Sequence, residues 1–268
     1  MTASRIPNLF AVVFSAIAAC AYAQTQAEYK PEVGQAGKDV VWVPSPQALV
    51  DKMLDMAKVT PADFVMDLGS GDGRTVITAA RRGARALGVE YNPDMVALSR
   101  RNAEKAGVGA KAQFVQADIF QTDISQATVI TLFLLPDLNL RLRPTILSLK
   151  PGTRIVSNSF KMGEWEPDET FALKCDSFCT AYLWIVPAKV EGSWRLGQGE
   201  LTLKQEFQNL TGTLRNGAAA LAISGGKLRG EEISFTAGGA EYRGHVSGNA
   251  IEGTVRTGAG AKHWSASR

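Results

Sequence analysis

Apolar and polar positions along the chain change rhythm twice. Between residues 47 and 57, Leu49, Met53, Leu54 and Ala57 recur at helical spacing, and Ser45 stands where a helix cap is expected. From 64 onward short apolar runs alternate with helical stretches. Strands are predicted at 64–68, 86–90, 112–115, 129–135 and 154–159, and helices at 75–82, 93–106 and 138–149. Pro93 opens one helix and Gly107 follows it, while Pro151-Gly152 stops another. The run 129–135 is apolar throughout, as in a strand covered on both faces. Segments 171–174 and 181–186 read as a closing hairpin. This alternation predicts a doubly wound α/β sheet with an antiparallel edge.

After about Ala188 the helices disappear. Short alternating runs at 200–207, 212–214, 220–223, 233–237, 242–246 and 251–255 are separated by turns such as Gly225-Gly226, Gly238-Gly239 and Gly248-Asn249. They predict a small all-β antiparallel domain, a barrel or a sandwich, over 188–268. The α/β domain then spans 41–187, and the polar stretch 24–40 reads as a flexible lead-in.

The first residues follow another pattern. Arg5 precedes an apolar run from Leu9 to Ala19, and Ala21-Tyr22-Ala23 offers small residues before a cut at Gln24. Residues 1–23 thus have the shape of a secretory signal peptide, too short for a comfortable bilayer span. Ile17-Ala18-Ala19-Cys20 supports a competing reading, a lipoprotein signal with a lipid anchor at Cys20. Either reading predicts an exported, periplasmic or envelope-associated protein. In such a compartment Cys175 and Cys179 either pair in a tight disulfide or remain two core thiols. With His245 and His263 distant from them, they make no zinc site, and no metal is expected. The net charge of +3 is spread without a basic block, which argues against a nucleic-acid partner.

The chemistry concentrates in Asp67-Leu68-Gly69-Ser70-Gly71-Asp72-Gly73-Arg74, at the end of the first strand and the start of a helix. Glycines let backbone approach a ligand, and a helix N-terminus supplies free N–H groups. A dinucleotide loop places its third glycine at the sixth position, but Arg74 stands there and Gly73 falls one residue early. An acid before the loop suits the ammonium of a methionine moiety better than a pyrophosphate. Glu90 ends the second strand, where it can accept ribose hydroxyls, and Asp118 ends the third, where it can accept an adenine amine. Three strand-end acids with this loop predict binding of S-adenosyl-L-methionine (SAM).

These motifs, together with Val43-Pro44-Ser45-Pro46, Gly88-Val89-Glu90-Tyr91-Asn92-Pro93, Gln116-Ala117-Asp118-Ile119-Phe120 and Ser157-Asn158-Ser159-Phe160, resemble the ATP synthase c-subunit lysine N-methyltransferase family. The resemblance covers about residues 40–165. It implies a Rossmann-like seven-strand class I methyltransferase sheet, SAM as co-substrate and a lysine on a protein acceptor, one that can be membrane-associated. It adds Asn92 and Ile119 to the donor-binding set of Asp67, Gly69, Ser70, Gly71, Gly73, Glu90 and Asp118, and puts Trp42, Pro44 and Ser45 on the substrate side. Trp42 departs from the family, which carries tyrosine there, and the β-rich tail is no part of the family core.

A lysine acceptor must shed a proton before transfer. The candidate acid–base group is Asp137, in Leu135-Pro136-Asp137 after the fourth strand, although it can equally cap the next helix. No Asn-Pro-Pro-Tyr motif follows that strand, which disfavours amide and adenine-amine acceptors. Export sets a competing expectation, since SAM is made in the cytosol: an envelope module that binds SAM without turnover.

Overall fold

Val65 is buried against one hydrophobic core and Met66 and Leu68 against another, which is why β1 (Phe64–Leu68) reads as a short run apolar on both faces apart from Asp67. The same alternation puts Asp67 on the face of Val65. The computed structural model describes residues 29–268, so the leader 1–23 and Cys20 lie outside the described residues. Residues 31–268 form the unit considered below.

Around β1 lie β2 (Arg85–Glu90), β3 (Ala112–Gln116), β4 (Val129–Leu132), β5 (Arg154–Asn158), β6 (Glu169–Ala172) and β7 (Thr180–Ile185), in the order β3-β2-β1-β4-β5-β7-β6. Strands β1 to β5 run parallel to one another, and β7 is antiparallel to both β5 and β6. Helix α1 (Gln47–Met56) and α2 (Arg74–Arg81) bury Leu49, Leu54, Val76 and Ala79 in the Val65 core, joined by Val96 of α3 (Pro93–Lys105). On the other face α4 (Pro136–Ile146) contributes Leu142 and Ile146, which pack with Ile155 and Trp184. The chain winds from β1 outward to β3, then returns to the other side of β1 as β4. The crevice at the carboxyl ends of β1 and β4 is therefore the switch point where α/β sheets bind ligands.

Two local expectations are corrected. Ser45 does not cap α1: the N-cap is Pro46, without a side-chain cap, and the Ser45 hydroxyl instead accepts from Asn158 Nδ2 at 2.9 Å. Helix α4 begins at Pro136 rather than 138, because a proline at the first helical position loses no hydrogen bond there. Asp137 thus falls in the first helical turn.

The C-terminal region is a closed barrel, not a sandwich. Strands β8 (Gly192–Leu196), β9 (Gly199–Glu206), β10 (Asn209–Asn216), β11 (Ala219–Arg229), β12 (Glu232–Ala237), β13 (Ala240–Ser247), β14 (Ala250–Thr257) and β15 (Gly260–Ser267) pair antiparallel in sequence order, and β15 returns to β8. Trp194, Leu201, Leu203, Leu228, Ile251 and Trp264 fill the interior. Closure also required β15, a strand that sequence patterning did not mark.

The barrel meets the α/β domain through specific contacts. Phe207 stacks on Trp165 at 6.1 Å, Gln208 Nε2 donates to the Glu166 carbonyl at 2.6 Å, and Arg229 pairs with Glu169 at 2.5 Å. Gly230 sits against Gly152, just before β5, and Ile185, at the end of antiparallel β7. Both belong to the amino-terminal edge of the parallel strands, so the barrel docks at the opposite end of the sheet from the crevice.

Candidate active site

At the end of β1 the Asp67 carboxylate is 7 % exposed and faces the crevice. It lies in register with Thr131 of β4, whose hydroxyl donates to it at 2.6 Å. Burial pushes its pKa up to about 7; the nearby Glu90 and Asp72 charges add to that, while the Thr131 and Thr75 hydroxyls pull against it. A buried carboxylate with only hydroxyl partners is a site prepared for a cation.

The loop after β1 is fixed from below. The Gly69 and Ser70 N–H groups donate to the Val89 carbonyl of β2. Gly71 N–H donates to Glu90 Oε2 at 3.0 Å, and Asn92 N–H to Glu90 Oε1 at 2.9 Å, so Glu90 spans the loop and the start of α3. Asn92 is the N-cap of α3, and its side chain accepts from Asp94 and Met95 N–H. Two residues that patterning missed hold the loop from above: Ser99 Oγ donates to the Gly71 carbonyl at 2.7 Å, and Asn102 Nδ2 to the Asp72 carbonyl at 3.0 Å. They lie one turn apart on α3, and nothing in their spacing marked them.

Two glycines do different jobs. Gly71 has φ 53°, and a Cβ there would meet the Trp42 indole nitrogen at 2.7 Å. Gly73, the left-handed N-cap of α2, would drive a Cβ into the Phe114 ring at 2.7 Å and Ser99 at 2.9 Å. Gly73 therefore serves the packing of the loop on β3 and α3 and does not line the crevice.

The segment before α1 roofs the loop. Gly34 N–H donates to the Trp42 carbonyl and Trp42 N–H to the Gln35 carbonyl, closing a strap over 34–42. Where composition suggested a flexible lead-in, Lys38 on this strap donates to Asp118 Oδ2 at 2.7 Å and lies 4.8 Å from the centre of the Tyr91 ring. Asp118 Oδ1 accepts from Phe120 N–H. The Lys38 hydrogen bond holds the Asp118 carboxyl below its usual range. Arg74 clamps Asp72 and donates to the Ser45 carbonyl at 2.7 Å, fastening the end of the strap to α2.

Trp42, Pro44, Ser45, Asp67, Gly69, Ser70, Gly71, Glu90, Asn92, Asp118 and Ile119 all line this one crevice. Asp137 does not. It is exposed in the first turn of α4, where a carboxylate suits the helix dipole, so the structure does not bring the expected acid–base group to the site. The charged side chains lining the crevice are Asp39, Asp67, Asp72, Glu90 and Asp118 against Lys38 and Arg74.

The strand order, the glycine loop and the acids at successive strand ends define a class I SAM-dependent methyltransferase. The family description "ANTKMT methyltransferase domain" matches residues 67–169. The protein-lysine N-methyltransferase of Saccharolobus islandicus is 42 % identical over 151 residues, which are 55 % of this chain and 94 % of that protein. The chain belongs to this methyltransferase family. The ATP synthase c-subunit lysine N-methyltransferase of Mus musculus is 35 % identical over 48 % of this chain and 52 % of its own length, so the match spans about half of that relative. A crystal structure of an RNA methyltransferase from Salinibacter ruber, in complex with S-adenosyl-L-homocysteine, is 50 % identical with a TM-score of 0.53, over 55 % of this chain and 96 % of that one. SAM is the co-substrate of this enzyme.

Proposed function

We propose that this enzyme methylates the ε-amine of a protein lysine. The observation that carries the reading is the charge of the crevice: among the described residues, five acidic side chains, Asp67 only partly ionised at neutral pH, face two cations that are each already paired with one of them. Such a field draws a cationic acceptor and repels a polyanion, so lysine is favoured over the RNA named for the Salinibacter ruber structure. The names of the archaeal and mouse relatives support the same acceptor.

The donor supplies an activated methyl group with its own leaving group, so the chain's task is placement and exclusion of water. In this reading Asp67 accepts the methionine ammonium and Glu90 the ribose hydroxyls. Asp118 accepts the adenine amine on lone pairs that Lys38 and Phe120 leave free, beside Ile119. Gly69, Ser70 and Gly71 give the backbone its close approach, Asn92 holds the edge of the loop, and Trp42, Pro44 and Ser45 roof the crevice on the substrate side. The acceptor nitrogen first passes its proton to water; it then forms a bond to the methyl carbon as the carbon–sulfur bond breaks, and that electron pair leaves with sulfur.

We further propose that the protein is exported, with residues 1–23 removed or Cys20 lipidated; the Cys175–Cys179 disulfide suits an oxidising compartment. A membrane-associated acceptor fits that placement. Calorimetry with SAM, followed by mass spectrometry of lysine methylation in a deletion strain against its parent, tests the function. Binding without any lost lysine methylation would favour the module that binds SAM without turnover.

A further inference from the structure

The crevice is asymmetric about β1. Glu90 and Asp118 mark the β2–β3 side, whereas Leu134, Leu138 and three phenylalanines make the side at the ends of β4, β5 and β7 mainly apolar. Phe133 follows β4, Phe160 follows β5, and Phe178 precedes β7. Their ring centroids lie 5.3 Å (Phe133–Phe178), 6.1 Å (Phe160–Phe178) and 6.2 Å (Phe133–Phe160) apart, one continuous aromatic wall built from three strand ends.

Phe178 is the anomalous member. It is 39 % exposed, and its backbone has φ 55°, a region that non-glycine residues rarely adopt. Cys175 and Cys179 are joined around it, with Cα atoms 6.0 Å apart, closing the loop between β6 and β7. An exposed aromatic ring on a rare backbone, tied by a crosslink to the rim of a cavity, is the kind of local cost that marks a binding surface.

We propose that Phe133, Phe160 and Phe178 form the wall of the acceptor channel, that the Cys175–Cys179 bridge holds Phe178 in it, and that the channel takes the unbranched alkylammonium side chain of the acceptor. This rests on the lysine reading above. If the donor's nucleoside occupies the Glu90–Asp118 side, the other half is left to the acceptor, and aromatic rings accept both the methylenes and the cationic head of lysine. The acids across the crevice give the head its electrostatic bias. The rival occupant of the wall is the donor's own sulfonium.

The test uses the full chain loaded with S-adenosyl-L-homocysteine and titrated calorimetrically with n-butylammonium chloride, with n-butanol as the neutral control. The wild type should bind butylammonium more tightly than butanol. Phe178→Ala should weaken butylammonium by about fivefold or more, Phe178→Tyr should keep it, and Phe178→Leu, of similar bulk without a ring, should behave like alanine. The paired Cys175→Ser and Cys179→Ser variant should weaken butylammonium in the same direction. SAM and S-adenosyl-L-homocysteine affinities should stay within about twofold of wild type in every variant. Unchanged butylammonium binding in Phe178→Ala overturns the channel, and so does a loss of SAM affinity that spares S-adenosyl-L-homocysteine, since the rings would then hold the sulfonium. Failure of the lysine reading is seen separately, as unchanged lysine methylation in the deletion strain.

Discussion

Thr131 Oγ1 donates to Asp67 Oδ1 across 2.6 Å, between two positions paired in register on adjacent parallel strands. That hydroxyl is the main counterweight to a burial that raises Asp67 to about 7. The carboxylate form is the one a donor ammonium needs, so SAM affinity should fall as pH drops below about 7. Calorimetry between pH 5.5 and 8.5 should show a slope approaching tenfold per unit on the acid side. Asp67→Asn should bind SAM about 10- to 100-fold more weakly, since it removes the charged half of a charge-assisted bond.

The same shift has a stability consequence. Folded Asp67 keeps a proton that the unfolded chain gives up near its ordinary value of 3.8, so its stabilising contribution is full below that value and lost as pH rises to about 7. Above 7 the buried charge is a cost. Ligand-free Asp67→Asn should therefore melt above the wild type at pH 8, with the gap narrowing toward pH 5. A variant that melts lower at pH 8 would contradict the assigned shift.

Lys38 fastens the strap to Asp118 from 80 residues away in sequence. The pair lies at the surface, partly covered, where water and salt screen it. Lys38→Ala should speed SAM release by up to about fivefold in stopped-flow displacement, and 0.5 M NaCl should produce most of the same change in the wild type. Slower release would show instead that Lys38 competes with the donor for Asp118.

Asp137 lies outside the crevice. Asp137→Asn should leave kcat within about twofold and cost at most about 1 kcal/mol of stability through the α4 dipole, read by turnover and thermal melting together. A hundredfold loss in kcat would restore it as the acid–base group.

The barrel contacts the sheet at the edge remote from the crevice, through Phe207, Gln208 and Arg229. A chain ending near Pro187 should bind SAM within about twofold of the whole protein but melt at lower temperature, because Trp165, buried in the intact chain, loses its Phe207 cover. Phe207→Ala should reproduce part of that loss. A folded truncation unable to bind SAM would show that the barrel shapes the donor site.

Much of the fold and part of the crevice lining were legible in the sequence. The five parallel strands were legible because each is a short apolar run bounded by turn residues. Asp67, Glu90 and Asp118 were legible because they end those runs, where a doubly wound sheet opens its crevice. The positions of Ser99, Asn102, Lys38 and Phe178 were not, because each acts on a partner that periodicity does not locate. Ser45 was expected to cap α1 but meets Asn158 from 113 residues away, and the packing of Gly73 against Phe114 on another strand was not legible.

The sequence by itself determined the order of elements, the glycine loop with its acids, and the change at about 188 from α/β to all-β, since all of these follow from local spacing and turn chemistry. Tertiary structure alone decided that the tail closes as a barrel, that it docks away from the crevice, that 34–42 lies across the loop as a strap, and that Asp137 faces solvent. The physical reason is range. Periodicity records which face of an element is buried, but not which other element covers it. That is fixed by packing and hydrogen bonds between residues many tens of positions apart, as in Lys38 with Asp118 and Trp165 with Phe207.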